Sequence, residues 1–534
     1  MKTITTALLV AILLPPSFVF GQENPAPGVN LHVAALQGNV DAIRQHSKAG
    51  SNLNAQDAWG ATPLMVAATF GKTEVARALI EAGADLHARN NDGATALHAA
   101  AFLCHTEIVE ALLESGANKY LRDNFRSSPL DAVAASFEAV KGIYDNFAQA
   151  LGPLGLQLDY EHIRTTRPRI AEMLRPRTEE LEAVDYTPLP GDDWNVSTPA
   201  EQGLDPMLVA ELYLDATGLE TLYGLLVIKN GHLIAEGYFN EGAVDQLSAR
   251  QSITKSYTSA LVGVALDQGY LSSVDQKMMA FFPELSGQIK DLRKEQVTIR
   301  HLLQMRGGYP DDEYTRQYLD RLFFTDNWHW LLHIADFPLV SDPGTAFNYS
   351  NLTSHLLAVI VARAVGADLK AYGQEHLFSV IDTDVGDWSS DADGYRFGCF
   401  EIYVTARDMA KLGLLYLNNG EYEGNRVLSA DWVQASLGRY SEGIQRAGWP
   451  SSKKGRYFHD IGYGYQWWSA TVGEHHFDYA AGHGGNLIVL LHDLDIVIVT
   501  TADPLYELPA EEGWKYEGAI IDVVGKFIAS LPKE

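Results

Sequence analysis

Apolar residues recur with two different periods along the chain. In the first quarter, the segments LHVAALQGN from Leu31, TPLMVAATFGK from Thr62, TALHAAAFLCH from Thr95 and SPLDAVAASFE from Ser128 carry one pattern, with Leu31, Leu64, Leu97 and Leu130 each 33 residues apart. The spacing predicts paired short helices that bury their faces against the next copy, an arrangement that needs about three copies and tolerates atypical ends. Gly38 and Gly71 fall at the turn within a pair, and the same register holds Cys104 and Phe137 in the later copies, so the pattern decays toward the fourth. The repeats are expected over residues 29–140, followed at 141–185 by a helical connector ending in a Pro, Gly and Asp loop.

From residue 186 to 534 the pattern changes. LYGLLVIKNGHLIAEGYF reads as two strands joined at Asn230 and Gly231. In QSITKSYTSALVGVALDQG the residues Ile253, Tyr257, Ala260, Leu261 and Val264 fall at helical spacing and stop near Gly269, and LTSHLLAVIVARAVG predicts a second buried helix. Near the end, AAGHGGNLIVLLHDLDIVIVTTADP predicts two apolar strands flanking a turn at residues 493–495.

A chain of 534 residues is too long for one core, and 46% hydrophobic with 20% charged residues is an ordinary globular composition. Lys and Arg number 40 against 68 Asp and Glu, a formal charge of -28, which excludes nucleic acid as a natural partner. Residues 1–21 place Lys2 before an apolar run at 7–14 and Val19, Phe20 and Gly21 before the polar Gln22, the order of a signal peptide; export to the periplasm or medium is expected. Pro15 and Pro16 break that run, and no later segment is apolar enough to span a bilayer, so no integral membrane segment is expected after its removal. Cys104 and Cys399 are the only cysteines and should be free thiols; with no CxxC and no Cys/His cluster, neither metal nor cofactor is expected.

Three stretches of the second region bear candidate chemistry. Ser252 and Lys255 are three apart at the start of a buried helix, hence on one face, where an amine can take the proton of a hydroxyl nucleophile and the helix N-terminus can stabilise an oxyanion. Serine and lysine at this spacing are common on solvated faces, but here the rest of the helix is apolar. PGTAFNYSN puts Tyr349 and Asn351 just before the second helix; Asn351 reads either as an N-cap or as a polar group projecting with the Tyr349 phenol into a cleft. His483, Gly484 and Gly485 precede a strand, where small residues on an edge strand would let a substrate backbone approach and the Asn486 N–H would serve as an oxyanion donor. A lone HGG more often marks a turn.

The 33-residue units, with TPL-type openings, resemble ankyrin repeats, which implies an all-α solenoid that either binds a protein partner or serves as a structural prefix. Taken in order, SITK, YSN and HGG resemble the SxxK, YxN and KTG set of penicillin-binding proteins and class C-like β-lactamases, a group that includes esterases and 6-aminohexanoate-dimer hydrolases. VTIRHLLQMRGGY, ARDMAKLGLLYLNNGEY and GYGYQWW resemble the same family. The resemblance implies an α+β fold, an antiparallel sheet covered by helices plus a helical lobe, with the site between them. It also implies Ser252 as nucleophile, Lys255 and Tyr349 as joint proton-transfer partners, Asn351, His483, Gly485 and Asn486 as substrate contacts, and the N–H groups of Ser252 and Asn486 as oxyanion donors.

His483 stands where Lys is usual. A His is largely neutral near pH 7 and is a weaker receptor for a substrate carboxylate, so ester or amide hydrolysis of a small-molecule or peptide substrate is expected, with weak or no β-lactamase activity. The alternative is a silent penicillin-binding sensor whose repeats do the work. Asp311, Asp312 and Glu313 read as a solvated loop, the adjacent His475 and His476 as a poor pair for one metal, and Trp328, Trp330, Trp467 and Trp468 as core or as an acyl pocket.

Overall fold

The computed structural model describes residues 28–191, 193–310, 334, 338–444, 455–503 and 510–533. The expected signal peptide, the acidic run at Asp311, and Trp328 and Trp330 lie outside the described residues. The chain forms two compact units, the first comprising residues up to Ala183 together with Leu214–Leu219 and the second Val184–Tyr213 with the residues from Glu220 onward.

The first unit is a stack of helix pairs: α1 (Leu31–Gln37) with α2 (Val40–Lys48), α3 (Pro63–Thr69) with α4 (Thr73–Glu81), α5 (Ala96–Phe102) with α6 (Thr106–Glu114), and α7 (Pro129–Ala134) with α8 (Phe137–Leu151). The 33-residue period is visible in the bonds as well as the helices. Asp57, Asn90 and Asp123 each use Oδ1 to accept two backbone N–H groups at 2.8–3.0 Å, closing the loop before each inner helix. Thr62 and Ser128 cap the helices that follow, with Pro at the first helical position. Ala34, Ala35, Ala67, Ala68, Ala100 and Ala101 have no exposed surface, which lets successive inner helices approach closely. Gly38 (φ 77°), Gly71 (φ 63°) and Cys104 (φ 59°) share the left-handed turn, so the third copy forces a side chain into a conformation the first two give to glycine.

The expected loss of the repeat after residue 140 has a structural counterpart in α8, which runs to 15 residues where the earlier outer helices have nine. The segment expected as a connector carries α9 (Tyr160–Leu174) and α10 (Thr178–Glu182), and Tyr144, Phe147, Ile163, Ile170 and Leu174 belong to the same apolar core as the repeats. Buried Arg167 of α9 donates to the Tyr144 hydroxyl at 2.6 Å and to the Ala135 carbonyl at 2.8 Å, joining the extra helix to α8 and the end of α7.

The second unit is built on a seven-stranded antiparallel sheet. In chain order its strands are β1 (Leu222–Lys229), β2 (His232–Tyr238), β7 (His459–Tyr463), β8 (Trp468–Val472), β9 (His475–Gly482), β10 (Asn486–Leu491) and β11 (Ile496–Ala502). Short two-strand ladders, β3 (Ser248–Ala249) with β4 (Tyr403–Val404) and β5 (Glu421–Tyr422) with β6 (Asn425–Arg426), lie outside it. The spatial order is β2-β1-β11-β10-β9-β8-β7. Asn230 (φ 50°) and Gly231 (φ 72°) make the expected hairpin turn. The strand after HGG was expected at an edge; β10 instead lies between β9 and β11, because the apolar runs on either side both pair with it.

The helices are α11 (Pro206–Ala216), α12 (Thr254–Asp267), α13 (Ile299–Leu303), α14 (Asn351–Val365), α15 (Leu369–Gly373), α16 (Ala406–Leu417), α17 (Ala430–Ser436) and α18 (Ala510–Ser530). Helix α16 packs on β1, β10 and β11, with Gly413 against Val497 and Ile488, while α12 and α14 pack on each other in the largest apolar cluster. Among the described residues no single helix is long and apolar enough to cross a membrane.

Candidate active site

Ser252 lies in a single 3₁₀ turn, Gln251–Ile253, that feeds directly into α12. Gln251 holds φ 50°, an unfavourable conformation for a residue with a side chain, and it is stabilised by its surroundings: Thr254 Oγ1 donates to the Gln251 carbonyl at 2.7 Å and Ile253 N to that of Arg250 at 3.1 Å. Arg250 anchors the turn from below 2% exposure, its guanidinium donating to the carbonyls of Val404 (2.7 Å) and Gln246 (2.8 Å). Burial pushes that guanidinium down to about 10.

One turn into the helix, Lys255 is 1% exposed. Its Nζ lies 2.9 Å from Ser252 Oγ, 2.6 Å from Asn351 Oδ1 and 2.9 Å from the Cys399 carbonyl oxygen. The same nitrogen sits 4.9 Å from the centre of the Tyr349 ring. Tyr349 is stacked on Trp468 at 5.4 Å and meets Tyr463 edge-on at 6.2 Å, so its ring is fixed by aromatic neighbours on β7 and β8. The Ser252 hydroxyl, the Asn351 amide and the face of the Tyr349 ring, drawn from two segments almost a hundred residues apart, therefore meet around the buried Lys255 nitrogen. Asn351 is the first residue of α14 and Ser350 is the N-cap, which leaves the Asn351 amide for Lys255 instead of the cap role. Trp468 touches the site through Tyr349, whereas Trp467 packs on Tyr416 at 4.6 Å.

The HGG segment is placed differently. His483, Gly484 and Gly485 form the turn between β9 and β10, and among the described residues their hydrogen bonds run to Gly482, Asn486, Thr500 and Glu517. His483 Nδ1 lies 3.1 Å from Glu517 Oε2 on α18, and the same oxygen accepts the Gly484 N–H at 3.3 Å. Gly485 (φ 103°) faces Ile520, and the Asn486 side chain joins the turn to β11, its Nδ2 donating to the His483 carbonyl at 2.9 Å and its Oδ1 accepting the Ala502 N–H at 3.3 Å. The strand residue that abuts the nucleophile's turn is Gly482: a Cβ there would overlap the Arg250 carbonyl oxygen and lie 3.2 Å from Gln251 Cβ and Ile253 Cγ1.

Gly482, Glu517 and the Cys399 carbonyl were not anticipated. Gly482 adjoins the HGG motif and its smallness was a signal within reach. Glu517 is one of several acids in AEEGWKYEGAIID, and a backbone carbonyl has no sequence signature at all. His475 is buried against Asp493 at 3.0 Å while His476 is exposed, as alternation along a strand requires. Among the described residues no group of His, Cys, Asp and Glu is arranged to hold a metal.

The sequence model of the family Beta-lactamase matches residues 220–519, more than half the chain. The chain belongs to the Beta-lactamase family. Ankyrin repeats (3 copies) match residues 31–123 of this Beta-lactamase family member. It is 26% identical over 276 residues to the 6-aminohexanoate-dimer hydrolase of Paenarthrobacter ureafaciens, an alignment covering 49% of this chain and 68% of that protein. Among solved structures, a putative 6-aminohexanoate-dimer hydrolase from Bacillus anthracis matches with TM-score 0.46 and 21% identity, over 59% of this chain and 81% of that one. The octameric penicillin-binding protein homologue from Pyrococcus abyssi matches with TM-score 0.43 and 18% identity, over 60% of this chain and 77% of that one.

Proposed function

We propose that the chain is an exported serine hydrolase that cleaves an ester or amide bond through an acyl-enzyme on Ser252, while its ankyrin repeats bind a protein partner. The observation that carries the catalytic reading is the coordination of Lys255 Nζ. Two of its three close partners, Asn351 Oδ1 and the Cys399 carbonyl, can only accept hydrogen bonds. They hold the nitrogen in place 2.9 Å from Ser252 Oγ, within reach of the proton that the hydroxyl must lose to attack.

In the proposed reaction, Ser252 Oγ attacks the acyl carbon as its proton passes to the Lys255 and Tyr349 pair, which acts jointly. The Ser252 N–H stabilises the oxyanion together with a backbone N–H of the adjoining strand, whose approach Gly482 permits. The pair returns the proton to the leaving alcohol or amine. It then takes a proton from water, whose oxygen attacks the acyl-enzyme, and passes that proton to Ser252 Oγ as the acid product departs.

Glu517 supports the expectation of weak β-lactamase activity. A carboxylate 3.1 Å from the His483 ring offsets positive charge at the position where the family usually holds Lys, making it a poor receptor for a substrate carboxylate. Export rests on the character of residues 1–21.

The test is labelling with a fluorophosphonate probe and turnover of a panel of p-nitrophenyl esters, D-amino-acid peptides and a chromogenic cephalosporin. Labelling should vanish in Ser252→Ala, and esters or amides should turn over repeatedly. Equal labelling of the variant removes Ser252 as the nucleophile; one acylation with no turnover replaces the hydrolase by a sensor.

A further inference from the structure

The third partner of Lys255 is a backbone carbonyl, and the group that fixes that carbonyl lies one turn beyond Asn351 on the same helix. His355 of α14 and Asp391 are paired at 2.9 Å between Nε2 and Oδ2, with side-chain exposures of 0% and 1%. His355 Nδ1 lies 3.4 Å from Gly398 N, a group that can only donate, so Nδ1 accepts and Nε2–H donates to the carboxylate. The other oxygen of Asp391 accepts the N–H groups of Asp393 (3.0 Å) and Tyr395 (2.8 Å), closing the turn of the loop that leads to Cys399.

The Gly398 carbonyl accepts from Thr258 Oγ1 at 3.0 Å, one turn after Lys255 on α12. Gly398 itself lies so close to α14 that a Cβ would overlap the Ser354 carbonyl oxygen and come within 2.7 Å of Ala358 Cβ. The residue directly before Cys399 is thus held at both ends, its N–H by His355 two peptide units before the Cys399 carbonyl and its own carbonyl by Thr258 one unit before it. A His–Asp pair taken fully out of water is an expensive way merely to fill space, since an apolar pair of similar volume packs as well.

We propose that His355, oriented by Asp391, is a positioning residue for the hydrolytic reaction: it sets the Gly398 and Cys399 backbone so that the Cys399 carbonyl takes one hydrogen of Lys255 Nζ and the amine is aimed at Ser252. The proposal rests on the reading of Lys255 as a proton-transfer group. Helix α14 then fixes two of the three partners of that nitrogen, one directly through Asn351 and one through His355.

The test compares His355→Leu, which removes both hydrogen bonds, with His355→Gln, which keeps one donor and one acceptor, in the full chain on a p-nitrophenyl ester. His355→Leu should lower kcat about 10- to 100-fold, the range found when supporting hydrogen bonds behind reactive groups are removed, with KM within about threefold. The low-pH limb of its kcat profile should move, and His355→Gln should restore most of both. A folded His355→Leu chain with the parent's kcat and pH profile overturns the proposal, as does a loss in both variants that follows melting temperature alone.

A readout independent of turnover is the ¹³C shift of the Lys255 ε-carbon in a Ser252→Ala background, which should change with His355→Leu and return with His355→Gln. An unchanged shift overturns the positioning role. Failure of the unmodified chain to hydrolyse anything refutes the hydrolase reading instead, and the carbon shift still decides the other. If His355→Leu does not fold, Thr258→Val deletes only the hydroxyl holding the Gly398 carbonyl. It should lower kcat severalfold by the same route; an unchanged kcat overturns the proposal.

Discussion

Gly482 leaves no room for a side chain at the place where β9 meets the nucleophile's turn. The group a Cβ would strike is the Arg250 carbonyl oxygen, and Arg250 cannot yield, because its N–H and its guanidinium are committed to the carbonyls of Ile402, Val404 and Gln246. Gly482→Ala should therefore displace the turn carrying Ser252 or push β9 away, slowing fluorophosphonate labelling at least tenfold while costing about 1–3 kcal/mol of stability, the usual range for overpacking. Gly413→Ala is the control, since its Cβ would meet Val497 Cγ1 at 2.6 Å where α16 packs on the sheet. That variant should lower the melting temperature at least as much without a selective loss of labelling. If the two variants lose labelling in equal proportion to stability, Gly482 has no special relation to the site.

At the scale of elements, the repeats carry a titrating joint. His98, buried on α5, has Nδ1 3.1 Å from the Thr95 backbone nitrogen at its own helix start and Nε2 2.9 Å from the Ser127 carbonyl of the next copy. Desolvation pushes it from 6.5 down to about 4, so folding favours the neutral ring. The unfolded chain then binds the proton first: the stabilisation is complete above about pH 6.5 and is lost as pH falls toward about 4, on the order of 3 kcal/mol in all. The protection factors of amides in α5 and α7, measured on the whole chain and corrected for the intrinsic pH dependence of exchange, should fall over that interval, and His98→Gln should flatten the dependence. Protection in α5 and α7 that is as acid-sensitive in His98→Gln would assign the effect elsewhere.

The same elements show what was legible in advance. The 33-residue period and the capping residues fix helices by local chemistry, and the Asn230 and Gly231 turn fixes a hairpin, so both could be read from adjacent residues. Ser252, Lys255 and Asn351 were legible because three-residue spacing on a helix and a short loop leave few geometries. The placement of HGG was not, since strand order is set by pairing among distant segments, and β10 became an interior strand through β9 and β11 together. His355 was unmarked because its partner Asp391 is 36 residues away across a loop.

At the scale of the whole molecule, two apolar clusters stand out among the described residues, one of buried side chains between Leu31 and Leu174 and the other between Leu226 and Val499. Cooperative unfolding follows the core that is lost, so two transitions are expected in calorimetry of the full chain. The assignments follow from chemistry already given to each unit. Lowering the pH from 7 to 5 protonates His98 on unfolding and should bring down the transition of the repeats, and His98→Gln should weaken that shift. Covalent occupation of Ser252 by a fluorophosphonate should alter only the other transition, because a ligand bound to one native unit stabilises that unit alone unless the two unfold together. A single transition that answers to both treatments would mean that the two cores form one cooperative body, and the repeats would then have to be regarded as part of the hydrolase fold and not as a module joined to it.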